Sequence, residues 1–217
     1  MKPIFLLALL CSGLVFCQTG SKSMEFSHDF YVRFLQETSE LLAQAHFKKG
    51  ENGQPMTFQL MPAVEFQDRS MSERRTDTFI RYQFEKTGGF ESEYIFNWKN
   101  EAGATLKHRL RIDPILDFSL PEPFPRTANA LLKWDGPALK TDEKLVVLCE
   151  NEAGQTVSHE FSGPTDLAAV PLPASKFSPG IWLISLIKSR AEKTVDGSVT
   201  TTSLFEFYTN TKPVVVK

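Results

Sequence analysis

An alternation of apolar residues at every second position, returning at intervals of roughly ten residues and closed each time by a turn signal, limits what this chain can become. Phe30, Val32 and Phe34 fall on one side of an extended segment, and Tyr31, Arg33 and Leu35 on the other. Ile80, Tyr82 and Phe84 repeat the pattern against Arg81 and Gln83, and it recurs in Tyr94-Ile95-Phe96-Asn97-Trp98. Successive side chains point to opposite faces only in a strand, so each of these segments reads as β-structure with one face in a core.

The turns give the pairing. Lys99-Asn100-Glu101-Ala102-Gly103 supplies a glycine for a left-handed position, after which Leu106, His108, Leu110 and Ile112 alternate on the return. That spacing predicts a hairpin. Leu145-Val146-Val147-Leu148-Cys149 is a continuous apolar run suited to a strand buried on both faces, and Asn151-Glu152-Ala153-Gly154 turns it back through Val157, His159 and Phe161. Asn100-Glu101-Ala102-Gly103-x-Thr105-x-x-His108 thus reappears as Asn151-Glu152-Ala153-Gly154-x-Thr156-x-x-His159, which reads as one turn chemistry used twice. A last hairpin joins Ile181–Ile187, which follows the Ser178-Pro179-Gly180 break, to Leu204–Tyr208, with Asp196-Gly197 between.

Residues 39–49 carry two signals. Ser39, the terminal lysines and Gly50 punctuate a helix. Leu41, Ala43, Ala45 and Phe47 nevertheless alternate against Leu42, Gln44 and His46. A strand is favoured, because it pairs locally with the segment before it.

Pro121, Pro123 and Pro125 remove three ladder donors in a row and mark a boundary. The expected fold is all-β, two immunoglobulin-like antiparallel β-sandwich domains in tandem: residues 24–120, a proline-rich linker over 121–130, and residues 131–217. One larger sandwich crossed by the linker is the alternative.

Residues 1–17 read as a secretory signal peptide, with Lys2 followed by an apolar stretch from Ile4 to Phe16. The stretch is shorter than the ~18 residues a spanning helix needs, and nothing comparable follows, so no transmembrane segment is expected. Cleavage between Cys17 and Gln18 makes Gln18 the mature N-terminus of a secreted or periplasmic protein. The alternative is an outer-membrane lipoprotein acylated on Cys17 or Cys11; Phe16 and Leu10, which precede them, are not the small residues a lipoprotein peptidase takes. Removing Lys2 leaves 23 bases (24 − 1) against 26 acids, a net charge near −3 with no basic stripe for nucleic acid. Of the three cysteines only Cys149 then remains, so no intrachain disulfide forms.

Catalytic patterns are missing from the sequence. His28, His46, His108 and His159 lack metal-ligand spacing, there is no Gly-x-Ser-x-Gly elbow or phosphate loop, and Cys149 sits in an apolar strand where a thiol is inert packing. No cofactor is expected. Glu91, Glu93, Asp113, Asp117, Glu150 and Glu160 are the carboxylates available to a hydrolase acting on glycans or envelope polymers. Trp98, Trp134 and Trp182 are in phase with apolar neighbours and read as core. The charged run Asp68–Asp77 reads as a solvated loop, and as the first place to look for a partner-binding rim.

Phe16-Cys17-Gln18, the line Tyr31-Val32-Arg33-Phe34-Leu35 leading into Leu42-Ala43-Gln44-Ala45-His46-Phe47, Glu143–Leu148 and the proline-glycine step before Trp182 resemble exported proteins of the Bacteroidota type. The resemblance implies an immunoglobulin-like exported body with no known activity attached. The functional expectation is a non-catalytic binding or structural module of the cell envelope, with an envelope protein or a glycan as partner.

Overall fold

A computed structural model describes residues 24–51, 54–57, 64–75, 80–100, 102–125 and 128–217. The signal peptide, Cys11, Cys17 and the Cys17–Gln18 cleavage point lie outside the described residues. The first half comprises β1 (Met24–Leu35), β2 (Glu40–Glu51), β3 (Gln54–Thr57), β4 (Glu65–Phe66), β5 (Arg69–Ser70), β6 (Ser72–Arg75), β7 (Ile80–Thr87), β8 (Glu93–Lys99) and β9 (Thr105–Arg111). The second comprises β10 (Phe118–Ser119), β11 (Ala130–Trp134), β12 (Glu143–Asn151), β13 (Thr156–Ser162), β14 (Ala169–Leu172), β15 (Gly180–Asp196), β16 (Val199–Tyr208) and β17 (Lys212–Val216), with one 3-10 turn at Ala174–Lys176. The protein is all-β.

The ambiguous segment is a strand. β2 pairs antiparallel with β1 along its length, setting Leu41, Ala43 and Ala45 opposite Phe34, Val32 and Phe30. All six are buried. A helix would turn these positions through about 100° per residue and scatter that face. Ser39 caps nothing; it adopts φ 54° in the turn between the strands.

The main sheet has ten strands, in the order β13-β12-β15-β16-β1-β2-β7-β6, with β17 added beside β15 and β3 beside β2. One pairing departs from the antiparallel expectation: β1 and β16 are parallel, with Val32 opposite Phe205 and Phe34 opposite Phe207. β16 returns from the far end of the chain to fill the free edge of β1, and the Phe34 and Phe207 rings stack at 5.7 Å. β15 is long enough to serve both halves. Its first part pairs with β17 and its second with β16, while β12 lies along its other edge.

Two smaller sheets, β5-β4-β8-β9 and β10-β11-β14, complete two sandwiches. One core gathers Phe30, Phe47, Tyr82, Tyr94, Phe96 and Trp98 with Phe205 and Phe207; the other gathers Leu132, Trp134, Leu145, Val147, Trp182 and Ile184 with Phe124 from the proline segment. Trp182, Ile184 and Leu186 of β15 share an alternation with Lys188 and Arg190, which stand opposite Phe207 and Phe205. Both cores, and both covering sheets, therefore lie on the same side of the large sheet. Among the described residues its other side faces solvent.

That arrangement corrects the reading of Leu145–Cys149 as buried on both faces. Leu145, Val147 and Cys149 are core, but Leu148 is 39% exposed, because no layer covers the outer side. The charged run also differs from a plain loop. Gln67 and Asp68, at φ 50° and 58°, form the tight tip between β4 and β5, Met71 is buried, and Ser72–Arg75 add an exposed edge strand to β7.

Candidate functional site

The uncovered face changes character along the sheet. On β16, β1, β2 and β7 its outward positions are mostly polar, among them the half-buried Asp29, Tyr31, Arg33, Gln44, His46, Arg81, Thr202 and Glu206. The Tyr31 hydroxyl donates to Glu206 Oε2 at 2.6 Å and that of Tyr208 to the same oxygen at 3.3 Å. Lys48 Nζ lies 2.7 Å from Asp29 Oδ2, and Thr202 donates to Asp29 Oδ1. Arg81 Nη1 donates to Gln44 Oε1 at 3.3 Å, and Gln44 Nε2 to Gln83 Oε1 at 3.5 Å. Cross-strand pairing places Asp29 opposite His46 and Tyr31 opposite Gln44.

The titration of this face follows from that network. Burial alone would raise the Asp29 carboxyl, but hydrogen bonds from Lys48 and Thr202 outweigh it and hold the group below its usual range. Burial, reinforced by Glu206, pushes the Tyr31 phenol upward, so it stays protonated and donates. His46 is lowered by burial and by the charge of Lys48. A concavity of about 280 Å³ opens among Asp29, Tyr31, Gln44, His46 and Arg81.

At the other end the face carries exposed aliphatic side chains. Ile181 stands opposite Val215 and Leu183 opposite Pro213. Ile181, Leu183, Val215 and Leu148 are 41%, 48%, 55% and 39% exposed. A shallow depression of about 460 Å³ there is lined by Leu148 and Leu183 together with Glu150, Thr156, Ser158 and Ser185. Clustered aliphatic side chains on a sheet face are a binding feature rather than a scatter of single exposed residues.

The structure gives most of the residues available to a hydrolase cationic partners. Glu93 binds Arg109 and Arg111. Asp117 binds Lys212, whose hydrogen bond lowers its pKa. Asp113 binds Lys140 and Glu91 binds Lys86, and in each the hydrogen bond from the lysine is the main cause of a lowered pKa. Glu160 binds Lys144; Glu150 stands exposed on β12.

Histidines and tryptophans go mainly to the cores. Trp98, Trp134 and Trp182 are buried. His28 packs edge-on against Phe47 and Trp98, and His108 stacks on Phe30 at 4.6 Å. Burial, with a smaller contribution from His28, drops His108 to about 4. His159 lies on a different hairpin in a different sheet, and His46 on the outer face. Cys149 is 2% exposed, and burial pushes its thiol up to about 12. Among the described residues no cluster of three or more His, Cys, Asp or Glu has metal-binding geometry, and no helix is long and apolar enough to cross a membrane.

The repeated turn is one structure used twice. Asn100 Oδ1 accepts from the Ala102 and Ala104 amides at 3.1 and 2.9 Å; Asn151 Oδ1 accepts from Ala153 and Gln155 at the same distances. Gly103 and Gly154 take φ 79° and 74°.

Sequence reasoning passed over the outer face. Its signal was the second half of each alternation, Tyr31 and Arg33 beside Val32, or Gln44 and His46 beside Ala45. Which sheet face lies open depends on where the β10-β11-β14 and β5-β4-β8-β9 sheets pack, and alternation alone does not specify that.

Comparison with known proteins finds no matching family and no matching curated protein. Among solved structures the chain is similar to one described as "Crystal structure of Dpr11 IG1 bound to DIP-gamma IG+IG2", at 10% identity over 87% of this chain and 99% of that one, with a TM-score of 0.21. The assignment of fold rests on the strand ladders themselves.

Proposed function

We propose that this protein is a non-catalytic binding module of the cell envelope, which holds a partner against the uncovered face of its ten-stranded sheet. The observation that carries the reading is the aliphatic patch of Leu148, Ile181, Leu183 and Val215 on that face. A large apolar patch in water is costly unless a partner removes it, at roughly 25 cal/mol per Å² covered. Rigid strands also hold the side chains in place before association, which reduces the ordering entropy lost on binding.

The competing hydrolase reading needs one carboxyl with a raised pKa to act as acid and a second one near it. Glu91, Asp113 and Asp117 are shifted the other way by their lysines. The location rests on the signal-like residues 1–17 and on the resemblance to Bacteroidota-type exported proteins. Export with cleavage at Gln18 is the main expectation, and a lipid on Cys17 the alternative. We propose further that the two cores mark two domains divided near 121–130, with β16 of the second completing the sheet of the first.

The test is retention of envelope proteins on immobilised protein, repeated with Leu148→Lys/Leu183→Lys. Retention lost in the variant at unchanged melting temperature supports the reading. Equal retention by both, or steady product release from an envelope-polymer substrate abolished by Glu93→Gln or Asp117→Asn, overturns it.

A further inference from the structure

We infer that the concavity among Asp29, Tyr31, Gln44, His46 and Arg81 is a binding site for an uncharged, hydroxyl-rich ligand: a neutral sugar unit of an envelope or extracellular glycan. The inference rests on reading the uncovered face as a binding surface, and it assigns the polar end of that face a ligand of its own, separate from the aliphatic patch.

Three features carry it. The first is the kind of group presented. A carboxylate, a carboxamide, an imidazole, a guanidinium and a phenol surround one depression, which Phe30 and Ala45 also line. These are planar donors and acceptors, each able to engage more than one hydroxyl, and a sugar ring offers hydroxyls that donate and accept together. Neighbouring strands set such groups ~4.8 Å apart, a spacing that suits successive substituents of a ring.

The second is preorganisation. Tyr31 is fixed by Glu206, Asp29 by Lys48 and Thr202, and Gln44 by Arg81 and Gln83. Each retains further hydrogen-bonding capacity, since a carboxylate accepts at several lone pairs and a carboxamide has two donors and an acceptor. A ligand that meets fixed polar groups loses little entropy in ordering them.

The third is charge. On these strands Asp29, Glu40, Glu85 and Glu206 stand against Arg33, Lys48 and Arg81, so the face has no surplus of positive charge. An anionic polysaccharide or a nucleic acid would need uncompensated cations. A neutral polyol does not.

The experiment is titration of the full chain with neutral oligosaccharides, with uronic-acid-bearing ones and with the free monosaccharides, followed by calorimetry and by amide shifts. Neutral oligosaccharides bind, with shifts centred on β1, β2 and β7. Gln44→Ala and Tyr31→Phe each weaken binding by about fivefold or more, the effect of one lost hydrogen bond, while circular dichroism shows both variants folded. Tighter binding of the oligosaccharide than of its monosaccharide identifies a polymer as source; equal binding identifies a free sugar and keeps the chemistry. No binding to neutral saccharides, binding of acidic ones alone, or wild-type affinity in both variants overturns the inference. Protein retention through Leu148 and Leu183 is measured in parallel, so the sugar site fails alone when retention persists and both readings fail when neither is seen.

Discussion

Lys188 Nζ lies 3.1 Å from Glu143 Oε2, and neither side chain is exposed to solvent. The pair stands between the two hydrophobic cores. The same ammonium donates to the Asp113 carbonyl at 3.0 Å, and the Lys140 amide donates to Glu143 Oε2 at 2.9 Å. The segment between β9 and β10 is thereby tied to β12 and β15. Next to it Arg190 binds Asp142 and the Arg111 carbonyl.

Removing one partner strands a charge where water cannot reach it. Lys188→Met is expected to cost about 3–5 kcal/mol in chemical denaturation, and Lys188→Met combined with Glu143→Leu to recover much of that loss. A Lys188→Met protein as stable as the wild type would show that the pair contributes nothing at the junction.

Stability should fall in mild acid through His28 and His108. Burial is the main cause that lowers both, with Asp29 opposing it at His28 and His28 adding to it at His108, where the folded value is about 4 against 6.5 in the unfolded chain. A depressed folded pKa means that the unfolded state takes up protons first. The contribution is complete above about pH 6.5 and is lost as pH drops toward 4. We expect a loss on the order of 1–2 kcal/mol from His108, less than a fully enclosed ring would give. Melting curves of His108→Phe should show a shallower decline over that window; an unchanged slope would assign the acid sensitivity elsewhere.

The twin turns should respond alike. Gly103→Ala and Gly154→Ala place a Cβ at φ 79° and 74°, and each is expected to cost about 1 kcal/mol or more. Asn100→Ala and Asn151→Ala remove acceptors for two amides apiece, with similar cost. A large effect at one turn and none at the other would separate their roles.

β16 belongs energetically to the first core. Phe207 is fully buried against Phe34 and Phe90, so Phe207→Ala is expected to destabilise by about 3–5 kcal/mol. Residues 24–120 expressed alone would leave the edge of β1 unpaired, and should give broad amide spectra that sharpen when a peptide of residues 199–208 is added. A well-dispersed spectrum from 24–120 by itself would contradict this.

Local sequence determined the strands, the hairpin turns and the inward residues of this protein. Alternation in Phe30–Phe34 or Tyr94–Trp98 is enforced by the backbone pleat, and Asn-x-x-Gly closes the same turn at Asn100–Gly103 and Asn151–Gly154. The same logic carried β2 against its helix punctuation, since Leu41–Phe47 had a ready partner in β1. Only tertiary structure decided that β16 pairs parallel with β1, because nothing within 199–208 encodes a strand more than 160 residues earlier. It also decided which outward residues form a surface. Arg81 lies far along the chain from the β1–β2 hairpin that carries Asp29 and Gln44, and Leu148 differs from Leu145 only in which side of the sheet it occupies. Both covering sheets pack on one side, over Phe30, Phe96, Trp134 and Trp182, and that leaves the other side uncovered.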